Sequence, residues 1–135
     1  MEIHSRKVFQ VACFLGALAV VILAVAAHAL KDKLDVQELG SLKTAAEIQL
    51  IHAILITALT VNAGAETFRR LKLPINLMLG GIFCFSFSIY VLLANNFLRI
   101  PFLKYLWPVT PVGGLLLIAS WLLLMMAPAK KSAAK

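Results

Sequence analysis

Val8 to Leu30 reads VFQVACFLGALAVVILAVAAHAL and runs straight into the charged string Lys31-Asp32-Lys33. Twenty-three residues, interrupted only by the amide of Gln10 and the imidazole of His28, are long enough for one helix to cross a hydrocarbon core of roughly 30 Å. The run is patterned as well as apolar. Ala12, Ala19 and Ala26 recur at heptad spacing with Gly16 between the first two, so one face is small. Helices in lipid associate through such faces, because close backbone approach replaces the missing hydrophobic drive.

Three further runs follow, at 44–65, 75–93 and 108–127. The chain of 135 residues is 61% hydrophobic and 14% charged, with a mean hydropathy of +0.92. These values exceed what a soluble domain requires, and the connections are too short to hold one. The sequence predicts an all-α fold: a four-helix transmembrane bundle in up-down antiparallel order, one domain over 1–135, with spans near 8–30, 45–66, 74–95 and 107–127. The lipid bilayer is then its first partner. The Ala27-His28-Ala29 triplet has the form of a signal cleavage site, but the apolar stretch before it is longer than a signal's 7–15 residues. It is read as a retained span.

The net charge of +7 raises the question of nucleic acid. Its thirteen basic residues flank the apolar runs instead of forming a patch interleaved with aromatics, so topology accounts for them and no nucleic-acid partner is expected. Counted by alternate sides, the amino tail, second connection and carboxyl tail hold eight Lys and Arg, against five in the other two connections. That bias predicts both termini in the cytoplasm. The location expected is the plasma (inner) membrane of a bacterium, or an organelle membrane in a eukaryote.

The second run is the least apolar, holding Glu47, Gln49, His52, Thr57, Thr60 and Asn62. A helix of this kind needs partners for its polar groups and belongs inside the bundle. Gln49 and His52, three apart, share a face; Glu47 is turned away from His52. Lys31 to Lys43 reads either as a brief interfacial helix on Leu34, Leu39 and Leu42 or as a solvated loop. Pro74 suits the first turn of the third helix. In that helix Gly80, Cys84 and Ser88 form a small ridge at four-residue spacing. Phe97 to Trp107 is too broken by Arg99, Pro101 and Lys104 to span.

Up-down order brings His28, Gln49, His52, Ser86, Tyr90 and Thr110 into one leaflet. This polar intramembrane cluster is read either as interhelical hydrogen bonding or as a ligand site. Gly113 and Gly114 join the packing residues, and with Thr110-Pro111 they read as a loose helix start or, less favoured, as a helix interruption at a binding site. No metal site and no cofactor is expected: two imidazoles lack a third ligand, and Glu47 faces the wrong way. Cys13 and Cys84 are read as packing residues without a disulfide.

The segments GALAVVILAVAAHALKDKL, TAAEIQLIHAIL, FSFSIYVLL and TPVGGLLLIASWLLL resemble, in order and spacing, the four signature segments of the small membrane proteins known as domain of unknown function 423. Gly16, Ala17, His28, Gln49, His52, Ser86, Ser88, Tyr90, Thr110, Pro111, Gly113, Gly114 and Trp121 fall on the family pattern. Ile48, Phe87 and Ser120 depart from it, standing where the family usually has tyrosine, glycine and glycine. The resemblance implies a multi-pass membrane protein and no particular activity. On function, the leading expectation is a non-enzymatic scaffold, assembly factor or accessory subunit of a larger membrane complex or homo-oligomer. The alternative is a small transporter or channel with an outer-leaflet site. An intramembrane enzyme pairing His52 with Ser86 or Ser88 is the least favoured.

Overall fold

Asp35 decides where the second helix begins. Its carboxylate accepts from the Glu38 backbone N–H at 2.8 Å, while the Glu38 side chain accepts from the Asp35 N–H at 3.1 Å. This reciprocal box satisfies two donors that a helix start would otherwise leave bare. The computed structural model of the chain describes residues 3–98 and 100–127. Among them are α1 (Ile3–His28), α2 (Val36–Asn62), α3 (Ala65–Ile82), a π-helical turn (Phe83–Phe87), α4 (Ser88–Leu98), a 3-10 segment (Pro101–Leu106) and α5 (Val109–Met126). No strand occurs among the described residues. The α3, π and α4 segments form one continuous helical span from Ala65 to Leu98, so four helices are long and apolar enough to cross a membrane. They run up, down, up and down.

Two boundaries differ from the sequence reading. Residues 36–43 are neither a separate interfacial helix nor a loop: the capping box makes them the first two turns of α2. The third span begins at Ala65, and Pro74 lies inside α3. The helix starts early because Ala63 and Gly64 are extended, with ψ of 125° and 167°, which breaks the chain ahead of Pro74. Glu66 in the first turn of α3 meets Arg69 at 3.5 Å and Arg70 at 3.3 Å on the exposed surface. A carboxylate there also faces the positive end of the helix dipole. The carboxyl tail beyond Ala127, with Lys130, Lys131 and Lys135, and Arg99 lie outside the described residues.

α1 packs chiefly on α2; α5 packs on α3 and the π turn; α2 also meets α3, α4 and the π turn. Two apolar clusters result. One gathers Val8, Ala12 and Leu15 with Ala53, Ile56, Phe68, Ile75, Met78, Ile82 and Leu117. The other joins Ala26, Leu34 and Leu42 near the α1–α2 connection. Ala12, Ala19 and Ala26 are all fully buried, so the heptad face is the one α1 turns inward. At the connection end, the Glu38 carboxylate also accepts from the Asn96 side chain, and Asn95 Oδ1 accepts from Ile100 N–H at 2.8 Å. One carboxylate thus ties the start of α2 to the end of α4.

Candidate functional site

Between the two apolar clusters lies a belt of polar side chains, and α2 is its centre. Gln49 is fully buried. Its amide donates to the Leu15 carbonyl of α1 at 2.7 Å, and its oxygen accepts from the Tyr90 hydroxyl of α4 at 3.0 Å. One residue therefore couples three spans. Ser86, also fully buried, donates to the Ala45 carbonyl of α2 at 2.8 Å.

His52 is buried and has both ring nitrogens engaged. Nδ1 lies 2.8 Å from the Ile48 carbonyl, and Trp121 Nε1 donates to Nε2 at 3.0 Å. A carbonyl only accepts and an indole N–H only donates, so the imidazole carries its hydrogen on Nδ1. The two rings meet edge to face at 6.1 Å. Trp121 is the partner that residue spacing did not propose. It was visible only as a position on the family pattern, since an indole late in an apolar run reads as an interfacial anchor.

Ser88 donates within its own helix or to Thr110: its hydroxyl is 2.9 Å from the Phe85 carbonyl and 2.6 Å from Thr110 Oγ1. His28 lies at the same end of the bundle yet is exposed and takes no part in these bonds. Glu47 is exposed too, on the far side of α2. Among the described residues, no three of His, Cys, Asp and Glu come together as metal ligands. Cys13 and Cys84 are both free.

The belt depends on how closely α5 approaches the π turn. A Cβ built on Gly113 would stand 2.7 Å from the Cys84 carbonyl carbon and 2.8 Å from Phe85 Cα, closer still to Phe85 N. Only glycine fits there. At Gly114 the same atom would meet the Phe85 ring at 3.8 Å, an ordinary contact. α5 runs unbroken through both, so neither glycine marks an interruption. The ridge on the third span shifts likewise. Gly80 makes ordinary contact, while the neighbouring Gly81 is the tight position, where a Cβ would come within 2.7 Å of Leu117 Cγ. Ser88 meets α5 through its hydroxyl at Thr110, and at Cys84 it is the backbone that Gly113 of α5 approaches. Gly16 lies against Ala53, where an added Cβ would sit 3.8 Å from that methyl.

The model of the family described as protein of unknown function (DUF423) matches residues 22–114, which take in Gln49, His52, Ser86, Tyr90, Thr110 and Gly113. The chain belongs to the DUF423 family. Relatives of this DUF423 protein carry the name UPF0382 membrane protein. One from Haemophilus influenzae is 31% identical over 121 residues, covering 87% of this chain and 90% of its own. One from Staphylococcus epidermidis is 31% identical over 125 residues, covering 92% and 97%. No solved structure matches the chain. With four apolar spans and relatives that are bacterial membrane proteins, this DUF423 member is a small multi-pass membrane protein.

Proposed function

We propose that the protein is a non-enzymatic accessory component of a larger membrane complex, acting as a scaffold, assembly factor or small subunit. One observation carries this reading: among the described residues, every buried side-chain nitrogen and oxygen already has a hydrogen-bond partner inside the chain. A binding or catalytic site keeps polar groups in reserve for what it binds. Here they are spent on joining helices. Enzymatic use of the serines is disfavoured by the same geometry, because an activated hydroxyl gives its proton to a base. The Ser86 hydroxyl donates its hydrogen bond to the Ala45 carbonyl and not to a base, and His52 Nε2 is taken by Trp121. Transport by a single chain is disfavoured because two grooves on the bundle, one between α1 and α2 and one between α1, α2 and α4, are lined almost wholly by apolar groups. A solute path needs polar lining.

The test is purification of the tagged full chain in mild detergent at native expression. A stoichiometric membrane-protein partner is the expected result. A lone chain that confers solute flux on vesicles would transfer the assignment to transport. Both termini are proposed to be cytoplasmic on the eight-to-five bias of basic residues. New cysteines at Ser41 and Ser132 check this: Ser41 should label from outside intact cells and Ser132 should not.

A further inference from the structure

α2 is bare along one side. Thr44, Glu47, Ile51, Ile54, Ala58 and Val61 are all exposed and alternate at spacings of three and four, the 3.5-residue seam along which a second helix packs. Two observations on that seam point to an occupant. The lower half borders a groove of about 600 Å³ between α1 and α2, whose lining includes Ala12, Cys13, Gly16, Ala53, Ile54 and Ala58. Small residues there allow a helix backbone to come close.

The upper half carries Glu47, which forms no hydrogen bond or ion pair among the described residues. Counted back from Asn62, the ~20 residues of a crossing reach Lys43, so Glu47 lies about one helical turn inside the hydrocarbon. A carboxylate turned outward at that depth is expensive, and intramembrane carboxylates characteristically meet a partner group. A second copy packed seam to seam about a twofold axis would set Glu47 against its own mate, like charge facing like. A different helix carrying a cation removes that conflict.

We propose that this seam seats a single transmembrane helix of another protein, its small-residue side in the α1–α2 groove and a lysine or arginine of its own directed at Glu47. The inference rests on the reading of the chain as an accessory subunit and gives that reading a surface.

The experiment uses the full chain in mild detergent and a synthetic Leu/Ala transmembrane peptide bearing one lysine a helical turn inside its end. The same peptide with leucine in place of lysine is the control. Energy transfer between labels on chain and peptide should report binding of the lysine peptide. Glu47→Leu should weaken it about tenfold, while the control peptide binds both forms alike. Glu47 is exposed, so the variant should fold, and an unchanged melting temperature verifies this. Equal binding of the lysine peptide to both forms overturns the proposal. So does transfer between two labelled copies that Glu47→Leu abolishes, since that gives the seam to a second copy. In cells, a photo-reactive residue at Ile51 should crosslink to a partner and one at Ile118, exposed on α5, should not. A crosslink from Ile118 alone overturns the seam and leaves the accessory reading standing. No crosslink from either position and no co-purifying protein removes both.

Discussion

Two sides of α2 carry polar residues two positions apart, and they have opposite fates. On the inner side, Ala45, Gln49, His52 and Ile56 are buried, and the two polar members bond α1, α4 and α5. On the outer side, Glu47 has Ile51 and Ile54 for company and no polar partner among the described residues. The difference teaches where the fold ends. Polar groups that the bundle needs are paired within it, so an unpaired one on its surface is an argument about something outside it.

The harshest way to break the comparison lies on α5, where a tight position and a roomier one are adjacent glycines. Gly113→Ala should destabilise the protein by on the order of 3 kcal/mol, since the methyl meets backbone that cannot yield. Gly114→Ala should leave the melting temperature in detergent within error. Equal melting shifts would mean that α5 can slide away from the π turn. Next comes the inner seam: Gln49→Leu removes a three-span junction and deprives the Tyr90 hydroxyl of its Gln49 acceptor, an expected loss of about 1.5 kcal/mol. Trp121→Phe keeps the ring and deletes the N–H, so about 1 kcal/mol should be lost. Most of that loss should vanish in a His52→Ala background, as a double-mutant cycle would register. The smallest effect belongs to the outer seam. Glu47→Leu should change stability by no more than about 0.5 kcal/mol, because Glu47 is exposed and has no hydrogen-bond or ion-pair partner among the described residues. A large destabilisation there would erase the distinction between the two sides.

The four spans were legible because hydrocarbon thickness selects apolar runs, and hydropathy reads those directly. Their ends were not. Apolarity marks where lipid begins, whereas the start of α3 at Ala65 and of α2 at Val36 is set by the extended Ala63-Gly64 pair and by the Asp35–Glu38 box. Within the belt, the three-residue spacing of Gln49 and His52 disclosed their common face. Their partners stayed hidden where these were the Leu15 and Ile48 carbonyls, as did the Ala45 carbonyl that accepts from Ser86, because every residue possesses a carbonyl. His28 shows the opposite case. It follows the buried Ala26 by two residues, about 200° around the helix, so the alanine heptad that fixed the inward face had already placed it outside. The π turn left no trace at all, since Phe83-Cys84-Phe85-Ser86-Phe87 reads as ordinary helix.

That turn gives the third span a vernier. Ile75, Met78 and Ile82 engage one set of neighbours below it, and Ser88 and Tyr90 engage another above. An uninterrupted α-helix advances about 100° per residue and a π turn, with its i→i+5 bonds, advances less, so running residues 83 to 87 as plain α-helix would swing everything beyond by roughly one residue's rotation. Ser88 would leave Thr110 and Tyr90 would leave Gln49, while the lower apolar cluster kept its contacts. The wider turn therefore holds the two halves in register around one extra residue. Ser86 within it is buried and bonds the Ala45 carbonyl, so its side chains are not freely exchanged, while loss of one residue would return the turn to plain helix with nearly the same overall rotation.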